Sequence, residues 1–258
     1  MRFEDGSRVR VTCSRGPARE AYVVVARVLG LSQDAAAFAR LARRRGLVRG
    51  REGLRLVQTV SVFDGLAWAI IGQWINLPFA LQLRQRLTLH AGGPAGDGLV
   101  APPAPATVAA LEPEALRLEV LPDFGGLEAT VAALEPETLR ALKFSRQKAN
   151  HLINAARLVV SGRLDLEGLR AMSATRAERV LTAVRGLGPW PVKHLMMRAP
   201  GFADCVPCGD TGLAGGLQRL MKLGQRPGMD ARRRLMRVFS PHRSLATAHL
   251  RQMKQTVS

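Results

Sequence analysis

The sequence predicts a mainly α-helical protein with a small N-terminal α+β piece. Three observations carry that prediction. Apolar residues recur at helical spacing from about Val60 onward, Pro and Gly punctuate those periods at their starts and ends, and two short strand-like runs lie near the N-terminus. The 258 residues suffice for one large domain or two small ones, each with a core. The expected division is an α+β region over 1–57 and a helical domain over 58–258.

Residues 8–13 (RVRVTC) and 21–26 (AYVVVA) read as strands around Ser14-Arg15-Gly16-Pro17. Past Gly30, Ser32 and Asp34 offer N-caps for a helix to about Arg45, where Gly46 and Gly50 break the pattern. Phe63, Leu66, Ala67, Ile70 and Ile71 share one helical face, and Trp68, inside that apolar pattern, reads as core. Asn76-Leu77-Pro78 opens another helix, with Pro in its first turn. The Gly- and Pro-rich stretch 91–105 reads as a loop.

Ala106–Arg117 and Ala129–Arg140 agree at eleven of twelve positions, a local tandem duplication too short to be a solenoid. The second copy leads into an amphipathic helix over Lys143–Gly162. Five more helices are expected over Thr175–Arg185, Trp190–Arg198, Asp210–Lys222, Met229–Phe239 and Ser244–Lys254.

Lys and Arg total 38 against 20 Asp and Glu, a net charge of +18. Such an excess calls for an anionic partner, nucleic acid before an acidic membrane or ribosomal RNA. The three cysteines, Cys13, Cys205 and Cys208, form no disulfide framework, and Met1–Arg10 lacks the apolar core of a signal peptide. Leu66–Ile71 is too short to span a bilayer. A reducing, cytoplasmic setting is expected. Cys205-x-x-Cys208 has no further ligands at zinc spacing, and nothing after it supplies the four cysteines of an iron–sulfur cluster.

The chemistry concentrates in 182–199, TAVRGLGPWPVKHLMMRA. A helix ends near Arg185, Gly186-Leu187-Gly188 makes a tight turn, and Pro189-Trp190 opens the next helix. Such a turn aims backbone N–H groups at a phosphate without reading sequence, although an ordinary glycine-capped connection has the same pattern. Pro207-Cys208-Gly209-Asp210-Thr211, with Asp210 twenty residues after Trp190, opens another helix. Asp210 is either that helix's N-cap alone or a carboxylate held at a site by the helix.

Hairpin, second helix and Pro-x-x-Asp together resemble the helix-hairpin-helix (HhH-GPD) DNA glycosylases, and within them the AlkA-type 3-methyladenine glycosylases. Gly53-Leu54-Arg55-Leu56, Phe63 through Ile70-Ile71-Gly72-Gln73, Lys148–Ala156 and Pro241-His242-Arg243-Ser244 agree in order, so the resemblance covers about 50–251. It implies two helical subdomains with a cleft between them and an N-terminal piece shorter than in longer relatives. It also implies a monomeric base excision repair enzyme of the bacterial nucleoid that acts on double-stranded DNA containing a damaged base, with no membrane partner.

The resemblance assigns roles. Gly186, Leu187 and Gly188 hold the DNA backbone, with a monovalent cation such as Na+ or K+ on the carbonyls of Gly186 and Gly188 and no other cofactor. Asp210 stabilises the charge that develops on the sugar. Gln73 and Trp74 stand where the wedge into the duplex is expected, and Lys193, Arg243 and Ser244 belong to the DNA-binding set. Trp190 occupies the position of the nucleophilic lysine in strand-cutting relatives. An indole cannot form a Schiff base, so the implied activity is monofunctional, with Lys193 a weak rival nucleophile.

Trp190, His194, Thr211 and Arg251 mark the base pocket. Aromatics are expected at the last three, so the substrate is either an alkylated base or another lesion, deaminated or oxidised. A non-catalytic DNA-binding module is the alternative of a different class.

Overall fold

The computed structural model describes residues 2–3, 9–12, 16–113 and 145–253. Cys13, Lys254 and the second copy of the duplication lie outside the described residues, as does the end of the first copy. The chain forms two compact units, Met1–Val60 with Gly201–Ser258, and Ser61–Pro200. The first break falls near the expected 57/58 boundary. The N-terminal region is nevertheless no piece apart, because it forms one unit with the C-terminal segment.

In the first unit, β1 (Arg2–Phe3) pairs antiparallel with β2 (Val9–Arg10). The expected strand over 21–26 is instead part of helix α1 (Ala18–Val28). Pro17 presets its start, and Gly30 ends it at φ +66°. The Leu31 N–H donates to Ala26 O at 2.8 Å and the Gly30 N–H to Arg27 O at 2.9 Å, a complete Schellman cap. These end signals outweigh the strand preference of Val23-Val24-Val25. Asp34, not Ser32, caps α2 (Ala35–Arg43), accepting from the Ala37 N–H at 2.8 Å. Its buried residues Ala35, Phe38, Ala39 and Ala42 repeat at i, i+3, i+4 and i+7. Gly46 and Gly50, expected to break the helical pattern, follow α2 at positive φ.

The second unit is built around α3 (Val62–Ile71), capped by Ser61, whose side chain accepts from the Asp64 N–H at 3.0 Å. Every residue of α3 except Trp68 is buried, so this helix has no solvent face beyond Trp68. Trp68, expected in the core, is half-buried, with the Arg84 guanidinium 5.6 Å from its ring centroid. Arg84 also pairs with both oxygens of the buried Asp64, at 3.0 and 2.9 Å. Helix α4 (Leu77–Ala91) starts as expected, on Asn76 with Pro in its first turn. The expected loop over 91–105 contains a small hairpin, β3 (Pro94–Gly96) with β4 (Leu99–Val100). Asp97-Gly98, both at positive φ, is the dipeptide that such a turn requires.

Helix α5 (Pro105–Ala109) packs on α6 (Arg146–Val160), which Ser145 caps. A 3-10 turn at Glu167–Ala171 precedes α7 (Ala174–Thr182) and α8 (Pro189–Arg198). Helices α4, α6 and α8 all pack on α3.

The chain then returns to the first unit. Helix α9 (Thr211–Leu220) precedes α10 (Met229–Leu235), which continues as a 3-10 turn to Phe239, and α11 (Arg243–Arg251) follows. Helices α9 and α11 touch backbone to backbone at Gly216, where a Cβ would stand 2.4 Å from Leu250 O. Among the described residues no helix is long and apolar enough to cross a membrane.

His249 on α11 is fully buried, its ring 4.9 Å from that of Phe38. Burial, and then the charge of Arg51, hold its pKa below the usual imidazole value of 6.5. The unfolded chain therefore takes up a proton near pH 6.5 that the folded chain refuses. This contribution is complete above pH 6.5 and is lost as pH falls below it. Between pH 7.5 and 5.5 the wild type is expected to lose about 1 kcal/mol relative to His249→Phe. Paired thermal melts at the two pH values measure it, and a constant difference contradicts it.

Candidate nucleic-acid interface and carboxylate site

In the second unit, the expected hairpin is present between α7 and α8. Gly186 sits at φ +93°, where a Cβ would also strike the His151 ring, 2.3 Å from Cγ. The buried Leu187 anchors the turn, its N–H donating to Val184 O at 3.1 Å. Gly188 is the N-cap of α8, and Pro189 takes the first position, where no N–H is needed. The positive end of α8 thus follows directly on the turn. Burial, and then Arg185, lower the His151 pKa, which favours the neutral ring under the hairpin.

A second loop is tied to the hairpin. The Gln73 side-chain amide donates to Gly186 O at 3.0 Å, and Lys148 Nζ donates to Ile71 O, at the end of α3, at 2.8 Å. Between Gln73 and the start of α4 stands Trp74, 98% exposed and at φ +58°. A non-glycine residue in that region costs of order 1–3 kcal/mol and persists only where its surroundings enforce it. The flanking bonds of Gln73 and Lys148 and the Asn76 cap provide that enforcement. Lys148 and His151 carry no role legible in the sequence. Their only trace was the Lys148–Ala156 stretch.

Trp190 is half-buried and stacks on the buried His194, with centroids 5.1 Å apart and planes at 27°. Its Cη2 lies 3.7 Å from where a Cβ on Gly72 would be, so the indole sits beside the turn that leads to Gln73-Trp74. Lys193 forms an ion pair with Glu178, which ties up the amine named as a rival nucleophile. The Gly186 carbonyl accepts from Gln73 and the Gly188 carbonyl from the Val192 N–H. Each carbonyl keeps a second lone pair, so the two could hold a monovalent cation, which would add positive charge at the hairpin. Among the described residues no group of three or more His, Cys, Asp or Glu side chains is arranged to hold a metal.

In the first unit, Asp210 caps α9, its Oδ1 accepting from the Leu213 N–H at 2.7 Å. The side chain is 10% exposed. Arg251, from the end of α11, holds the carboxylate at both oxygens, Nε to Oδ1 at 3.1 Å and Nη2 to Oδ2. The expected pocket residue is thus an ion-pair partner of the expected catalytic one. Thr211 is exposed at the first position of α9.

The other two residues expected at the DNA have structural duties. Arg243 pairs with both oxygens of Asp204, at 2.6 and 2.7 Å, which holds the Asp204 pKa below the usual carboxylate range against the opposing effect of burial. Ser244 is buried, donating to Phe202 O at 2.6 Å and accepting from the Cys205 N–H at 3.1 Å. Both tie down the 202–205 loop. Cys205 and Cys208 are free thiols.

A turn of two glycines between helices is followed in the chain by a helix-capping aspartate, and comparison with known proteins finds similar chains. Residues 121–241 match the family described as HhH-GPD superfamily base excision DNA repair protein. The matched stretch is a little under half of the chain. It is similar to the putative DNA-3-methyladenine glycosylase YfjP of Bacillus subtilis, 30% identical over 198 residues, which cover 77% of this chain and 61% of that one. A DNA-3-methyladenine glycosylase of the same organism is 28% identical over 198 residues, covering 77% of this chain and 59% of that one. The chain therefore spans about three fifths of the curated relatives it matches. The fold is that of the 3-methyladenine DNA-glycosylase from Archaeoglobus fulgidus, with TM-score 0.71 at 22% identity over 92% of this chain and 75% of that one.

Proposed function

We propose that this chain is a monofunctional DNA glycosylase of base excision repair, which turns a damaged base out of duplex DNA and hydrolyses its N-glycosidic bond. The observation that carries the reading is Asp210, a carboxylate fixed by its own helix and a second helix in a chain that also bears the hairpin. The names of the two curated relatives support alkylated bases as the substrate class.

In this mechanism the hairpin backbone and the N-terminus of α8 bind a DNA phosphate. Trp74 enters the stack in place of the extruded base. As the C1′–N bond breaks, its electron pair leaves with the base and positive charge grows on the sugar. The Asp210 carboxylate stabilises that charge, water adds to C1′, and its proton passes to solvent, or to the departing base where that base leaves as an anion. No amine of the hairpin takes part, because Trp190 stands after Pro189 and Lys193 is held by Glu178.

The test is incubation with duplexes that each carry one defined lesion, followed by detection of free base. Release from at least one lesion is expected, and release from none across alkylated, deaminated and oxidised bases overturns the reading. The grip of Arg251 on Asp210 favours a second reading, a lesion-binding protein without turnover, and lesion-selective binding with no release is its signature.

Trp74→Gly supplies a further prediction. It removes a stacking surface worth about 1–3 kcal/mol, so single-turnover release is expected to fall about 10- to 100-fold. Glycine accepts φ +58° without strain, so the melting temperature is expected to hold or rise. Unchanged release would remove Trp74 from the mechanism.

A further inference from the structure

The ion pair between Arg251 and Asp210 is built into the packing of α9 and α11. Gly216 lets the two helices meet at Leu250, the residue before Arg251. Gly212 leaves room for the pair, since a Cβ there would stand 3.2 Å from both Arg251 Cγ and Asp210 Oδ1. The Arg251 side chain is 25% exposed. The carboxylate accepts from the Leu213 N–H and Arg251 Nε on Oδ1 and from Arg251 Nη2 on Oδ2.

We propose that Arg251 determines specificity, turning the site toward damaged bases that are uncharged in the duplex and away from cationic alkylated ones. The proposal rests on the glycosylase reading and departs from the alkylated bases that the relatives' names support. A bare carboxylate in a poorly solvated site attracts a cationic base before any bond breaks. A guanidinium held on that carboxylate satisfies it and repels a second cation. A neutral base presents no positive charge to repel, and it must accept the glycosidic electron pair as it departs. A neighbouring cation favours that shift. A cationic base leaves neutral and needs no such help.

Three proteins test this: wild type, Arg251→Gln, which removes the charge, and Arg251→Lys, which keeps it. Arg251→Met is a second neutral variant, and thermal melts establish which variants are folded. The first readout is affinity for duplexes carrying a protonated pyrrolidine abasic mimic or its neutral tetrahydrofuran counterpart, which needs no turnover. The second is single-turnover release of hypoxanthine, a neutral base, against cationic 7-methylguanine.

The neutral variants are expected to raise the cation-to-neutral ratio about tenfold in both readouts, with Arg251→Lys within about threefold of wild type. A wild type that binds both mimics but releases neither base argues against the glycosylase reading. A ratio that stays within about twofold of wild type in the folded neutral variants overturns the role of Arg251.

Discussion

Changing Asp210 to asparagine is expected to slow base release by about 10²- to 10³-fold while leaving affinity for duplex DNA within about threefold. The two side chains have nearly the same shape, and asparagine caps helices as well as aspartate does. Its amide oxygen can still accept from the Leu213 N–H, so α9 keeps its start. What disappears is the negative charge that meets the charge developing on the sugar. The grip of Arg251 loses its counter-charge as well, a cost of about 1–3 kcal/mol, limited because the Arg251 side chain is a quarter exposed. Thermal melts read that cost, and quench-flow or manual single-turnover assays read the rate. A variant that releases base at the wild-type rate removes Asp210 from the chemistry.

Gly186→Val is expected to weaken both the second unit and its hold on DNA. Valine must adopt φ +93° and place its Cβ 2.3 Å from His151 Cγ. Backbone strain and overpacking together cost about 2–4 kcal/mol. The turn cannot move alone, because the Gly186 carbonyl also holds Gln73 beside Trp74. Non-specific DNA affinity is expected to fall at least about tenfold, with a shallower salt dependence as a phosphate contact is lost. Gly186→Ala combined with His151→Ala removes the clash and keeps the strain, so its melting temperature should lie between wild type and Gly186→Val. Wild-type affinity and stability in Gly186→Val would rule out the hairpin as described.

The helical part of the fold was readable because its signals are local. Asn76 before Pro78 and Asp210 before Thr211 mark helix starts in sequence and in structure alike. The run 21–26 misled because three adjacent valines favour a strand while the evidence for a helix lies at its ends, Pro17 and Gly30. Turn chemistry marks the hairpin and capping marks Asp210, while the resemblance joins the two as one site. Their partners carry no such mark. Arg251 meets Asp210 across 41 residues, and His151 lies under Gly186 only through the packing of α6. Arg243 and Ser244 carried the right motif for DNA contact, yet Asp204 and the 202–205 loop use their polar atoms.

The central claim, hydrolytic base removal without a covalent amine intermediate, is tested most directly by following one reaction in three ways. Free base, strand breaks with and without alkali, and adducts trapped by borohydride are measured from the same single-lesion duplex. The account predicts free base equal to alkali-dependent breaks, with no break before alkali and no trapped adduct. Breaks that keep pace with base release before alkali, a borohydride-trapped protein–DNA adduct, or no free base at all would contradict it.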